Sequence, residues 1–334
     1  MDYRNLGRTG VKVSELCLGC MMFGNQTPEG DSIKIIDRAL DEGINFLDTA
    51  NVYNEGKSEE VVGKALKQNG MRSRMVLATK VHGTMDNTDP NARGNSRRHL
   101  VNQCEASLRR LQTDYIDLYQ IHRPSADTPM DETLRGLDDL VRSGKVRYIG
   151  TSTYAAWQVL ESLWISKELG LNRMVSEQSP YNLLDRRIER ELIPMAQTYG
   201  LALLPWSPLA EGFLTGKYLE AQSPPQAARL AKDGPWFSRH FTSQAFQVLS
   251  VVKSLAKEKG CTPSQLAIAW CSQQPGVTSP IIGPRTFEQL TDNLGAIKIK
   301  VTDEDRKRLD QVAPPGQVIV PYYEANFGPH QFHW

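Results

Sequence analysis

The sequence predicts an α/β protein with a (β/α)8 TIM barrel, and three observations support that fold class. Short β-rich runs alternate with amphipathic helical stretches along the whole chain, which is typical of parallel strands joined by helices. About eight such β–α pairs are present. No two glycines lie two positions apart, so the GxGxxG fingerprint of a doubly wound dinucleotide-binding sheet is absent. We expect residues 1–334 to form a single barrel domain.

The eight barrel strands are predicted from short runs rich in β-branched, aromatic and leucine side chains. A helix-like segment follows each of them, such as SIKIIDRALDEG after the first strand and SRRHLVNQCEASLRRLQ after the third. The predicted strands are 16–19, 44–48, 75–80, 115–122, 146–150, 174–178, 201–205 and 279–283.

Three further segments extend this barrel. Residues 3–16 contain a glycine turn between two strand-like runs, which predicts an N-terminal β-hairpin. Residues 207–241 form a long loop after strand seven that is rich in proline and glycine, and such long connections are usually lids or binding loops. The C-terminal tail from Val312 to Trp334 ends in a stretch dense in aromatic residues and has no helical period. We expect this tail to close over a substrate.

Charge and composition restrict the partners of the protein. The chain has 39 Lys and Arg residues against 38 Asp and Glu residues, so no net field attracts nucleic acid or an anionic membrane. No apolar run approaches the roughly 20 residues that a bilayer requires. Five cysteines with a single CxxC, formed by Cys17 and Cys20, predict reduced thiols and no metal site. We expect a cytoplasmic protein that acts on a small molecule and can form a homo-oligomer.

Four titratable side chains fall at the ends of three neighbouring predicted strands. Asp48 ends strand two, and Tyr53 lies in the loop after it. Lys80 ends strand three, and His122 ends strand four. The active site of such a barrel is built from the carboxyl ends of the strands and the loops that follow them. Each residue alone has an ordinary structural explanation. Burying several ionisable groups together costs free energy unless they pair with each other or take part in catalysis, so the four residues together indicate an active site.

The four side chains make chemical sense as a proton donor. A free phenol titrates near about 10, and a neighbouring ammonium stabilises its ionised form. Lys80 can supply that ammonium, Asp48 would hold it in place, and His122 could donate a hydrogen bond beside the phenol of Tyr53. Such a group would protonate a developing alkoxide, which carbonyl reduction requires once a hydride arrives.

The sequence resembles the aldo-keto reductases over nearly its whole length. The resemblance is strongest in LGRTGVKVSELCLGCMMFG at 6–24, LDTANVYNEGKSEE at 47–60 and GPRTFEQLTDNLGA at 283–296, which occur in the family's order at the expected strand ends. It implies an oxidoreductase that binds its nicotinamide cofactor extended across the barrel mouth without a Rossmann fingerprint. The expected cofactor is NADP(H), with weaker use of NAD(H).

The resemblance also implies a role for individual residues. It identifies Asp48, Tyr53, Lys80 and His122 as a catalytic tetrad that reduces an aldehyde or ketone, with Tyr53 as the general acid. For the cofactor, Ser152 and Gln178 match positions that hold the nicotinamide carboxamide, Thr153 stands where many members have Asn, and Trp206 would stack on the nicotinamide ring. The remaining expected cofactor contacts are Ser207, Leu209, Gly212 and Lys217 along the pyrophosphate, Arg285, Gln289 and Asn293 at the adenosine end, and Cys20, Met21, Asp48 and Gly283.

The substrate walls are expected from loops after strands one, two and four. The residues are Met22, Phe23, Tyr53, His122 and Arg123. Loops of this kind vary freely on a fixed barrel, so the sequence leaves the identity of the carbonyl substrate open.

Two alternative functions fit the same fold. One is a redox-sensing or binding subunit similar to the potassium-channel β subunits, which also carry Trp at the position of Trp206 but have Asn in place of His122. The other is a Schiff-base aldolase with Lys80 as nucleophile, although this function leaves the cofactor-like motifs unexplained.

Overall fold

A computed structural model describes residues 1–218 and 237–321 of the chain. The (β/α)8 barrel and the N-terminal hairpin that the sequence predicts are both present. The strands in these residues are β1 Tyr3–Asn5, β2 Lys12–Ser14, β3 Cys17–Gly19, β4 Phe46–Asp48, β5 Val76–Val81, β6 Ile116–Ile121, β7 Val146–Ser152, β8 Met174–Gln178, β9 Ala202–Leu203 and β10 Ile281–Ile282.

The barrel sheet is parallel throughout and follows the order of the chain. Its strand order is β10-β3-β4-β5-β6-β7-β8-β9, so the last strand returns beside the first. Two backbone hydrogen bonds close the ring, from the Ile281 N–H to the Pro205 carbonyl oxygen at 2.7 Å and from the Thr278 N–H to the Leu203 carbonyl oxygen at 2.9 Å. Closure removes the exposed edges that an open sheet would have.

Helices follow each barrel strand and pack around the sheet. Local capping fixes where several of them begin. In one example Thr262 and Gln265 form a capping box at the start of a helix whose first residue is Pro263. The helices are α1 Glu29–Asp41, α2 Lys57–Gln68, α3 Arg97–Leu111, α4 Met130–Arg142, α5 Ala156–Leu169, α6 Leu192–Tyr199, α7 Phe237–His240, α8 Ser243–Glu258, α9 Pro263–Ser272, α10 Phe287–Leu294 and α11 Asp303–Val312.

All eight predicted barrel strands are confirmed, with small differences at their ends. No strand end differs by more than two residues: β7 continues to Ser152 where the sequence predicted an end at Gly150, whereas β4, β9 and β10 are shorter than predicted. The predicted tail from residue 322 onward and the central part of the long loop, 219–236, lie outside the described residues. None of the described helices combines the length and apolar character needed to cross a bilayer.

The interior of the barrel determines which side chains reach its C-terminal end. An inner apolar cluster fills the lower part and includes Leu6 and Val13 of the hairpin together with Phe46, Ala78 and Leu118 of the strands. Because side chains alternate along a strand, residues two positions further on face the same interior. Asp48, Lys80 and Gln120 occupy those positions on β4, β5 and β6, directly above the apolar cluster.

Candidate active site

A cleft of about 490 Å³ opens at the C-terminal end of the barrel strands. Strand ends and loops from several parts of the chain contribute to its walls, and most of the site residues that the sequence predicts face it. These are Cys20, Met21, Met22, Asp48, Tyr53, His122, Arg123, Ser152, Gln178, Trp206, Ser207, Leu209, Gly212, Lys217, Gly283, Arg285, Gln289 and Asn293.

Three predicted site residues do not line this cleft. Lys80 lies beneath its floor and is fully buried. Phe23 is fully buried in the apolar layer between sheet and helices, because a turn closed by the Phe23 N–H and the Cys20 carbonyl oxygen directs its ring into the core. The expectation that Phe23 forms a substrate wall is therefore corrected. Thr153 lies beside the cleft, where its hydroxyl oxygen accepts a hydrogen bond from Arg123 Nη1 at 3.0 Å.

An ion pair between Lys80 and Asp48 forms the floor of the cleft. Lys80 Nζ donates to Asp48 Oδ1, to the Thr49 carbonyl oxygen at 2.9 Å and to the Tyr53 hydroxyl at 3.2 Å. These contacts use all three donors of the ammonium group. Burial lowers the pKa of Lys80, but the charge of Asp48 and the contact with Tyr53 outweigh burial and leave the pKa raised. Lys80 therefore carries a positive charge at neutral pH.

The loop after β4 holds Tyr53 above this lysine. Tyr53 begins a 3-10 turn in which Asn54 and Glu55 have left-handed backbone angles, with φ of 51° and 56°. Asn tolerates that conformation better than most residues. The Asn54 side-chain amide donates to the carbonyl oxygens of Met21 and Phe23 at 3.0 and 2.9 Å. The loop after β4 is thus tied to the loop after β3, and Tyr53 is fixed over Lys80.

His122 lies beside Tyr53 and is neutral at neutral pH. The two rings meet edge to face, with centroids 5.6 Å apart and planes at 81°. Burial, followed by the charges of Lys80 and Arg123 and a contribution from His82, lowers the pKa of His122 well below its usual value. A neutral imidazole has one donor and one acceptor nitrogen. His122 can therefore donate a hydrogen bond to an oxygen near the Tyr53 hydroxyl.

Asp48 also contacts a residue that sequence analysis missed. Asp48 Oδ2 accepts hydrogen bonds from Gln120 Nε2 at 3.0 Å and from Gln178 Nε2 at 2.9 Å. Gln120 lies on β6 and is fully buried. The signal in the sequence was a polar residue at an inward-facing position of the apolar run YIDLYQIH, two residues before His122.

The loop after β9 forms one side of the cleft and has an unusual backbone. Ser207, Ala210 and Glu211 have left-handed φ angles of 56°, 46° and 58°. Such conformations cost roughly 1 to 3 kcal/mol each for residues other than glycine and are concentrated at ligand sites. The Ser207 Oγ accepts a hydrogen bond from the Glu211 N–H at 3.0 Å, which stabilises the turn.

Two cationic side chains that line the cleft, Lys217 and Arg285, lie near each other. Burial lowers the pKa of Lys217, and the charge of Arg285 lowers it further. The Arg285 loop is held by its own N–H, which donates to Gln289 Oε1 at 2.8 Å, and by Thr27, whose hydroxyl donates to the Arg285 carbonyl oxygen at 3.0 Å. This part of the cleft suits an anionic part of a ligand.

Glu177 supports the loop after β7 from behind the cleft and was also missed. Its Oε1 accepts hydrogen bonds from the Tyr154 N–H at 3.1 Å and from the Ser179 hydroxyl at 2.7 Å. Its Oε2 is buried and has no hydrogen-bond partner among the residues that the structure describes. Burial raises the pKa of Glu177 to about 7.

Comparison with known proteins gives matches over almost the whole chain. The model of the Aldo/keto reductase family matches residues 15–314. The chain is 42% identical over 325 residues to an uncharacterized oxidoreductase, YrpG, of Bacillus subtilis (strain 168), with 95% of this chain and 97% of the relative covered. It is 38% identical over 304 residues to a probable voltage-gated potassium channel subunit beta of Oryza sativa subsp. japonica, covering 90% and 92%. It is 36% identical over 338 residues to a versiconal hemiacetal acetate reductase of Aspergillus parasiticus, covering 94% and 98%.

Replacing Glu177 by Gln should remove a pH-dependent loss of stability. The folded-state pKa of about 7 lies above the ordinary value of 4.5, so the folded protein binds this proton more tightly than the unfolded chain. The resulting stabilisation is complete below pH 4.5 and is lost as the pH rises through about 7. Between these limits the free energy of unfolding of the wild type should fall by up to about 3 kcal/mol relative to that of Glu177→Gln.

Thermal unfolding of both proteins from pH 4.5 to 8 measures this difference. The exposed Glu168 provides a matched control, because Glu168→Gln removes a carboxylate in contact with solvent. A plot of its unfolding temperature against pH should stay parallel to that of the wild type. If Glu177→Gln also runs parallel to the wild type, the buried carboxyl does not have the raised pKa.

Proposed function

The chain belongs to the aldo/keto reductase family, and we propose that it is an NADPH-dependent reductase of aldehydes or ketones that uses NADH less well. The main support is the Tyr53 hydroxyl, which lies 3.2 Å from the buried Lys80 ammonium and faces the cleft. Two relatives carry the names oxidoreductase and reductase, which agrees with carbonyl reduction. Its five cysteines are free thiols, which fits the reducing cytoplasm that we propose as its location.

The cleft fits a nicotinamide dinucleotide by the chemistry of its walls. The polar side chains of Ser152 and Gln178 lie at the tetrad end, and Trp206 offers a flat aromatic face beside them. When bound, the nicotinamide ring would supply a hydride to the carbonyl carbon. The residues that would hold the rest of the cofactor are Cys20, Met21, Ser207, Leu209, Gly212, Lys217, Gly283, Arg285, Gln289 and Asn293.

The tetrad would supply the proton that the reduction requires. The Tyr53 hydroxyl donates its proton to the carbonyl oxygen as that oxygen gains negative charge. The Lys80 ammonium stabilises the phenolate that remains, and Asp48 holds the ammonium in position. His122, which is neutral, donates a hydrogen bond to the same substrate oxygen without giving up a proton. Met21 and Met22 give the substrate end of the cleft an apolar wall.

The structure makes the aldolase alternative less suitable. A lysine that forms a Schiff base must be a neutral amine with access to the substrate. Lys80 is fully buried, uses its three donors on neighbouring oxygens and has a raised pKa.

The binding-subunit alternative shares the fold and has support from the relatives that are named potassium channel subunit beta. We favour catalysis because both Tyr53 and His122 face the cleft, and their rings pack against each other. These are the positions from which a proton and a hydrogen bond would reach one substrate oxygen.

Tyr53→Phe should abolish carbonyl reduction while NADPH still binds. The change removes only the hydroxyl that donates the proton, and general acid catalysis contributes roughly 100- to 10,000-fold. Turnover of 4-nitrobenzaldehyde, followed at the absorbance band of NADPH, should fall by at least about 100-fold. Fluorescence titration should give an NADPH dissociation constant close to that of the wild type.

The matched control is Tyr199→Phe, which removes a hydroxyl from an exposed tyrosine on α6. This variant should keep full activity. A Tyr53→Phe enzyme with activity within about tenfold of the wild type would show that another group donates the proton.

Arg285→Ala should weaken NADPH binding selectively. We assign Arg285 to the 2′-phosphate, where one charge-assisted contact contributes roughly 1.5 to 3 kcal/mol, or about 10- to 150-fold in affinity. NADH lacks this phosphate, so its dissociation constant should barely change. Lys217→Met provides the contrast, because a contact with the pyrophosphate would be lost for both cofactors. Equal losses of NADPH and NADH affinity in Arg285→Ala would contradict the assignment.

A further inference from the structure

The side chain of Gln120 connects two parts of the site that lie on different strands. Its Nε2 donates to Asp48 Oδ2 at 3.0 Å, and its Oε1 accepts a hydrogen bond from Gln178 Nε2 at 3.2 Å. Gln120 is fully buried inside the barrel, and its amide therefore reaches no solvent. Asp48 holds Lys80 on one side, while Gln178 faces the cleft on the other.

The hydrogen bonds determine how the Gln178 amide is oriented. An ionised carboxylate only accepts hydrogen bonds, so Asp48 Oδ2 must face the Nε2 group of Gln178. Gln178 Nε2 lies 2.9 Å from Asp48 Oδ2 and 3.2 Å from Gln120 Oε1, so both of its N–H donors are used inside the barrel. Gln178 can therefore offer only its Oε1, which is an acceptor, to a ligand in the cleft.

We propose that Gln120 is a positioning residue that locks the Gln178 amide as a hydrogen-bond acceptor toward the cofactor. This inference rests on the proposed function, in which Gln178 faces the nicotinamide carboxamide. With Gln120 in place, the site selects a ring substituent that has an N–H group. Because the same amide also bonds to Asp48, the ring substituent is held in a fixed position relative to the carboxylate that holds Lys80.

Loss of Gln120 would release one donor of Gln178. Gln178 would then be held by Asp48 alone, so its Oε1 would no longer be fixed toward the ligand and the carboxamide N–H would lose its acceptor. Gln120→Met tests this consequence, because Met has a similar length and volume but neither donates nor accepts a strong hydrogen bond. Gln120→Leu is a second variant with the same loss, and it keeps the test valid if one of the two folds poorly.

The probe is the reduced 3-acetylpyridine analogue of NADPH, in which a methyl ketone replaces the carboxamide and therefore lacks its N–H group. The wild type should bind NADPH about tenfold more tightly than this analogue, which is the effect of one hydrogen bond. In Gln120→Met the NADPH dissociation constant should rise about tenfold, whereas that of the analogue should change less than about threefold. The preference for NADPH should therefore disappear.

Leu118→Ala is the matched control, because Leu118 faces the barrel interior on the same strand, two residues before Gln120. It creates a cavity in the inner cluster and should lower the unfolding temperature without changing the preference between the two cofactors. Titration of protein fluorescence with both cofactors provides the readout for all four proteins.

Two results would overturn the inference. The first is a Gln120→Met or Gln120→Leu protein that retains the tenfold preference. The second is a Leu118→Ala protein that loses the preference to the same extent, since the effect would then reflect packing. A wild type that binds neither cofactor and reduces no aldehyde would instead overturn the proposed function and this inference with it.

Discussion

The rest of the site depends on the buried ion pair between Lys80 and Asp48. An ammonium without exposed surface is tolerated only when each of its donors finds an acceptor, and here the acceptors are Asp48, the Thr49 carbonyl oxygen and Tyr53. Removing one partner of such a pair commonly costs roughly 3 to 5 kcal/mol, because the other charge stays buried and unpaired. The same contacts that satisfy Lys80 place its charge next to the phenol that would give up a proton.

The barrel supplies the rigid frame, and the loops at its mouth carry the strain. β4 and β5 are neighbours, with Asp48 opposite Ala78, so Lys80 lies one interior position further along. Seven described residues other than glycine have positive φ angles, and Gln112 at the end of α3 is the only one among them away from the mouth. The others are Asn54, Glu55, Thr153, Ser207, Ala210 and Glu211. The closed sheet thus maintains loop conformations that would be unfavourable in isolation.

Most residues of this site could be predicted from local sequence, whereas the hydrogen bonds that connect them could not. The predicted strands and their ends were enough to place Asp48, Lys80 and His122 together at the C-terminal end of the barrel. The contacts of Gln178 with Asp48 and Gln120 depend on the register of strands that lie far apart in the chain, since Asp48 and Gln178 are 130 positions apart. The position of Phe23 depended on a turn of a few residues, which strand periodicity does not determine.

The most direct test of this account is the pH dependence of alcohol oxidation by the Lys80→Met protein. Asp48→Asn is introduced with it so that no carboxylate stays buried and unpaired. Oxidation requires the ionised phenol, so we predict that the rising limb of the pH–rate profile moves to higher pH, with a much lower rate at neutral pH. A profile that coincides with that of the wild type would contradict the claim that the Lys80 ammonium controls proton transfer at Tyr53.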